Sequence, residues 1–382
     1  MTTREYHPRL YWVRATGPES VEVLERTSEL ADSSYGTVLS LVVAGNGSDC
    51  FLVWVADPGP GNPVAVRFAR VGEPGASPVS AEVFHVSGAW TLHSETPFPP
   101  DPAMPADPPW PAVWVDTDGS GAVVTGASNA ATGEVALIGQ VLNAALAAVW
   151  TSSAESFAVV ATFGTSAESY VGVESAFYNA MGAKGQWLLV PVVVVRGGAA
   201  AGRCLHLVSA NRSASSPYAE GVEIPGSCPS ARLPAWAPGP AALGYLAYAS
   251  WDGGGDMRAM VGRTDGHGLD FPEGVFEHAS PGGFPRIGID DAQRAWMGWV
   301  QLPDGSMDFE FAIQHWTSEL NPVPGWPEGG VPGTAPGEAL PLESMATLAP
   351  PLADGDGAIV GWRRIVDSTH RSVVLRRIDD PR

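Results

Sequence analysis

Residues 294–316 read RAWMGWVQLPDGSMDFEFAIQHW. An apolar run, Ala295 to Gln301, meets a Pro303-Asp304-Gly305 turn. The chain then returns with Met307, Phe309, Phe311 and Ile313 at every second position. Spacing of two puts those four side chains on one face of a strand, and Pro-Asp-Gly is turn chemistry, so the stretch reads as a β-hairpin.

The same pattern returns along the chain. Hairpins of this kind start at Leu10, Phe51, Ala122, Phe157, Leu188, Gly244, Ala295 and Ala358. Their mean spacing is roughly 50 residues, the range in which a repeat signals a solenoid or a propeller. Most are preceded by a further short apolar strand, as in PAVWVDTDGSGAVV and FPRIGIDDAQRAWMGW, and some are followed by a fourth, as in AEVFHVS. Units of three to four antiparallel strands match propeller blades, where radial repetition protects sheet edges that an open array exposes. The expectation is an all-β chain, one β-propeller domain over residues 1–382. First strands near Leu39, Ala112, Ala147, Leu189, Pro234, Pro285 and Met345 give seven blades; counting the N-terminal hairpin separately gives eight. Ring closure is expected from Leu10, Trp12 and Val13 pairing in one sheet with Val373 to Leu375. The best helical candidate, NAALAAVW at 143–150, is short.

The segments PLADGDGAIVGW, GRTDGHGLDFPEG and SWDGGGDM resemble the bacterial neuraminidase-type repeat propellers. That family's Asp box runs S-x-D-x-G-x-T-W. Here Ser250, Asp252 and Gly254 fit, while Asp256 and Met257 stand where Thr and Trp belong. The turn also falls between second and third strands instead of third and fourth. The resemblance implies the fold and does not carry sialidase activity with it.

Composition narrows the function classes. Apolar residues make up 45% and charged residues 16%, so a large core is available. The 45 Gly and 35 Pro suit many tight turns. With 41 acidic against 21 basic residues the formal charge is −20, a field that repels phosphate backbones and sets nucleic acid aside. Lys184 is the one lysine, a bias of GC-rich bacterial genes. No apolar run approaches the ~20 residues of a membrane span, and the N-terminus has no apolar signal region, so a soluble chain is expected. The acidic surface and scarce lysine also suit an exported protein. Cys50, Cys204 and Cys228 lack metal-knuckle spacing. The simpler reading makes them small buried thiols; one Cys204 to Cys228 bridge is the alternative. Neither a cofactor nor a metal site is expected.

In a propeller blade the fourth-to-first and second-to-third connections emerge on one face, and first-to-second turns on the other. The acidic turns at Asp116 and Asp118, Asp290 and Asp291, and Asp354 and Asp356 fall on the latter. They read as ordinary polar turns, since none has a downstream Glu at EF-hand spacing. The former face receives long Pro-rich connections: 89–111, carrying Trp90, His93, Phe98 and Trp110, and 317–341, carrying Trp326. Aromatic rings in stiff loops suit a ligand platform. Trp251, Asp252 and Asp256 share that face, as do Asp304 and Asp308. Trp54, Trp299 and Trp362 lie within strands and read as packing between blades. No nucleophile elbow, zincin motif or phosphate loop is present. The preferred reading is a non-catalytic binding propeller that takes a carbohydrate or a protein partner through Trp90, His93, Trp110, Trp251, Asp252, Asp256 and Trp326. The alternative is a hydrolase or lyase acting on a glycan-like substrate in the central funnel, which needs two converging carboxylates.

Overall fold

A computed structural model describes residues 11–17, 20–26, 37–45, 50–57, 59, 62–71, 79–86, 88–93, 111–151, 155–168, 170–175, 182–184, 186–198, 201–217, 219–238, 244–251, 257–264, 276–302, 309–327, 329–334, 338, 340, 348–365 and 371–380. Their secondary structure is strand and turn, with one 3-10 turn at Ser166–Glu168 and no longer helix. None of it is long and apolar enough to cross a membrane as a helix.

The opening hairpin is there: Ala295–Gln301 pairs antiparallel with Glu310–Trp316, Trp299 facing Ala312. Gly283–Ile289 and Val331–Pro332 extend it on either side to four strands in sequence order. Further sheets of successive antiparallel strands occupy 37–86, 90–165, 170–223, 231–281 and 352–379.

The chain divides into two compact units, one built mainly from Val23–Glu223 and the other mainly from Ile224–Arg382. Within each, cores lie between consecutive sheets. In the first unit, Val53, Val66 and Phe68 of one sheet pack with Val123, Ala136 and Ile138 of the next. Behind that, Val124 and Leu137 pack with Leu188, Val190 and Val192 of the third. In the second unit, Ala247 and Val261 meet Met297 and Trp299. Central strands are therefore buried on both faces, and Trp54, Trp299 and Trp362 are 0%, 1% and 2% exposed, as interior packing requires.

Two of the first strands expected from sequence do not form as such. No first strand forms near Ala147. The buried amide of Gln140 instead ties the following loop down: its Nε2 donates to the Trp150 carbonyl and its Oε1 accepts from the Trp150 N–H. Asn143 Oδ1 accepts the Ala145 and Ala147 N–H groups and holds a turn. Side-chain amides thus satisfy backbone groups that a strand partner would otherwise have to take. The apparent hairpin starting at Phe157 is also not one. Ala158–Thr165 pairs back onto Glu134–Leu142, while Tyr170–Ser175 opens the next sheet against Trp187–Arg196, so Leu189 lies on a second strand. The N-terminal strands Tyr11–Gly17 and Ser20–Arg26 form a two-stranded sheet of their own, and Arg371–Asp379 lies in a three-stranded one. The pairing expected between Trp12, Val13 and Val373 to Leu375 is not found among the described residues; Leu10 and Met345 lie outside them. A local hairpin closes with less chain entropy than a pairing across the whole sequence.

The C-terminus is fastened inside the second unit. His315, fully buried, directs Nδ1 to Asp380 Oδ1 at 2.8 Å and Nε2 toward Asp290 Oδ2 at 3.3 Å. Its ring stacks on Trp296 at 3.9 Å, and Trp326 Nε1 donates to the same Asp380 oxygen. Removing one member of a buried, paired set leaves the others uncompensated, at a cost of about 3 kcal/mol. Asp380→Ala should lower unfolding stability by about that amount in urea titrations; an unchanged midpoint would refute the fastening role.

Candidate functional site

Of the residues picked from the sequence, Trp110, Asp252 and Asp256 lie outside the described residues, as do Phe98, Asp304 and Asp308. Trp251 ends the Gly244–Trp251 strand. Trp326 does not serve as an exposed platform: it is 6% exposed, packs edge-on against Trp296 and spends its N–H on Asp380. Trp90 and His93 do come together, on and just beyond the short Trp90–Leu92 strand. Trp90 is half-buried and braced edge-on by Phe157 at 5.7 Å. His93 Nδ1 accepts the Val173 N–H at 2.9 Å, which fixes that nitrogen as unprotonated.

The acidic turns are matched by arginines. Asp116 pairs with Arg212, whose guanidinium also lies 4.6 Å over the Trp114 ring. Asp354 and Asp356 pair with Arg377, and Asp290 with Arg294. Burial pushes the Asp290 carboxyl up, but the backbone and side-chain hydrogen bonds from Arg294 outweigh it and hold the group below the usual range. Cys204 and Cys228 are disulfide-bonded, which corrects the thiol reading and leaves no thiolate for a metal; Cys50 is the buried free thiol.

A further cluster of ionisable groups lies along the edge of the first unit where second strands turn into third. Glu134 opens one strand there, Thr165 and Arg196 end two others, Tyr170 opens another, and Glu223 closes its sheet. Contacts link them in sequence. Glu134 Oε1 accepts from the Thr162 hydroxyl, and Glu168 Oε2 from the Thr165 N–H. The Tyr170 ring packs over Gly164, where a Cβ would come within 2.4 Å of it. Arg196 lies 5.4 Å over that ring and donates to Glu223 Oε2 at 2.7 Å. His206, paired in register with Glu223, brings Nε2 to 3.6 Å from the same oxygen, and Phe163 meets its ring edge-on.

His206 differs from the rest by its burial. It is 8% exposed, and Nε2 has no hydrogen-bond partner. Burial drives its pKa down to about 4 against the opposing pull of Glu223, and Arg196 adds to the depression. The 3.6 Å approach is therefore a contact of a neutral imidazole with a carboxylate and not an ion pair at neutral pH. Arg196 is the cation that holds Glu223, leaving that carboxylate 40% exposed at the edge.

These four residues, Tyr170, Arg196, His206 and Glu223, did not stand out in the sequence. The available signal was a polar residue inside an apolar run, His206 in CLHLVSA, and a lone arginine closing VVVVR. Because the folded His206 takes its proton only near pH 4 while an unfolded one takes it near 6.5, stability is complete above 6.5 and is lost as pH falls toward 4. The loss should reach about 2 kcal/mol between pH 7 and pH 5, and His206→Gln should abolish that part of the slope in denaturant titrations.

No protein-family model matches the sequence, and no curated protein matches it. Solved structures do. An alpha-L-arabinofuranosidase from Fusarium graminearum, in complex with an iminosugar inhibitor, is 11% identical and superimposes with a TM-score of 0.51 over 90% of this chain and 93% of its own. A subtype N10 neuraminidase-like protein of a little yellow-shouldered bat isolate gives 10%, 0.44, 91% and 95% in the same order. An endo-arabinanase from Bacillus licheniformis gives 11%, 0.34, 76% and 95%. At these identities the likeness is one of fold: an all-β chain of the β-propeller type. It also corrects the expectation of a non-catalytic binding propeller. The fold is one that carries glycan-acting enzymes, so the missing sequence motif is no argument against chemistry on this scaffold.

Proposed function

We propose that this protein is a glycan-acting enzyme, a hydrolase in the first instance, with Glu223 as its leading acid–base carboxylate. The observation that carries the reading is the Arg196–Glu223–His206 arrangement on the strand-end edge of a scaffold shared with an arabinofuranosidase. Glycosidic hydrolysis needs one carboxyl group that protonates the leaving oxygen and a second that attacks the sugar or activates water. Glu223 is exposed and oriented by Arg196, while Glu134 and Glu168 are further carboxylates along that edge. Neutral His206 has an Nε2 free to accept or donate one hydrogen bond to a substrate beside Glu223 without adding charge.

A lyase is the second reading, favoured by the same quartet. Elimination from a uronate needs a cation near the substrate carboxylate and a base for the adjacent proton, and Arg196 with Tyr170 or His206 supplies both types. Assaying a panel of neutral and acidic polysaccharides for new reducing ends and for the ultraviolet absorbance of unsaturated products separates the two. Glu223→Gln should lower kcat at least about a hundredfold with little change in Tm, because the side chain is exposed. No product from the panel, or full activity in the variant, would overturn the reading.

A further inference from the structure

Beside Trp90 lies an open cleft of about 360 Å³ lined by Asn62, Pro63, Val86, Gly88, Trp90 and Thr91 among others, and none of the described residues of its lining is ionisable. Its volume falls in the range of small-ligand sites, ~300 to 1,000 Å³. Two features make it a formed site. The Trp90 ring is held by Phe157, itself packed at 6.0 Å against Phe84, so it offers a fixed aromatic wall. Another part of the lining, Asn62 and Pro63, is held by a turn in which Gly59 N–H donates to Asp57 Oδ1 and Asn62 N–H to the Gly59 carbonyl. That turn presents the exposed Asn62 side chain, and Thr91 is exposed as well.

We infer that this cleft is a subsite for a neutral saccharide unit. An indole face takes the C–H face of a sugar ring, and the Asn62 amide and Thr91 hydroxyl supply donors and acceptors for ring hydroxyls. A uronate would lose hydration there without meeting a cation among the described lining residues. That the ligand is a saccharide rests on the glycan-acting reading above. The subsite is otherwise separate, since it shares no residue with the Glu223 cluster.

The test titrates neutral arabino-, xylo- and gluco-oligosaccharides, and an oligouronate, into the Glu223→Gln protein by calorimetry, so that substrate is bound and not consumed. A neutral oligosaccharide should bind. Asn62→Ala, at an exposed position, should weaken it about tenfold, the loss of one or two hydrogen bonds. Trp90→Phe should weaken it by a similar factor while keeping the packing on Phe157. Binding unaffected by both substitutions, or tighter binding of the oligouronate, overturns the subsite even where the native enzyme is active. Loss of binding in both variants with no turnover by the native protein would leave the subsite standing and sink the catalytic reading.

Discussion

A strand whose two faces are both buried sets the terms for this protein. In the Ala295–Gln301 strand, Ala295, Met297 and Trp299 join the core shared with the preceding sheet. On the opposite face Trp296 stacks on His315, and Gly298 lies within reach of Leu348 and Pro351. Alternation of apolar and polar residues, the mark of a sheet with one wet face, is absent because there is no wet face. Close approach makes small residues as necessary as large ones. A Cβ at Gly126 would come within 2.0 Å of the Val173 carbonyl oxygen, and one at Gly288 equally close to that of Pro351. The indole N–H groups of Trp54, Trp236, Trp296 and Trp362 lie buried without hydrogen-bond partners. Each costs about 1 to 3 kcal/mol, and burial of a Trp side chain contributes about 4 to 6, so packing wins.

The strands are committed largely to packing, with polar side chains such as Gln140, His206 and Arg286 buried within them, and the charged pairs of the turns gather at their ends. The two ends solve different problems. Where first strands turn into second, the acidic groups are drawn onto arginines of the same chain, as Asp116 is onto Arg212 and Asp354 onto Arg377. Those contacts set turn geometry, Arg377 alone being shared by Asp354, Asp356 and Asp379. Along the Glu134 to Glu223 edge Arg196 stands beside Glu223 and the neutral His206, with Glu134 and Glu168 further along and Arg203 near the start of the neighbouring strand. An exposed carboxylate held by an arginine beside a neutral imidazole is a composition that proton transfer can use.

The repeat was legible because a hairpin is a local object: turn residues and period-two patterning fall within about twenty residues of each other. Which hairpin belongs to which sheet was not. Phe157 to Tyr178 has the right rhythm, yet its two halves part because Gln140, far back in the chain, holds the Trp150 loop and Ala158–Thr165 returns to Glu134–Leu142. The site failed to show for a related reason. Trp326 and Trp90 look alike in sequence, both in Pro-rich company, and only Asp380 and Trp296 decide that the first is interior. Conversely Arg196, His206 and Glu223 gain meaning from cross-strand register, which no single-chain spacing reveals.

Charge separates the two classes of glycan that such an edge could serve. A net charge of −20 acts on a polymer as it approaches, over a screening length of about 8 Å at physiological salt. Nearer in, Glu134, Glu168 and Glu223 set the local field, and Arg196 is already bonded to Glu223. A polyuronate would have to displace that pair to reach the guanidinium, exchanging one carboxylate partner for another and gaining no net attraction. A neutral glycan meets no such competition. Its hydroxyls can share the exposed carboxylate oxygens, and its ring faces can use Trp90. On the proposed function, this electrostatic asymmetry favours hydrolysis of neutral glycans over elimination from acidic ones, because the same carboxylates that repel a uronate are those that cleave a glycosidic bond.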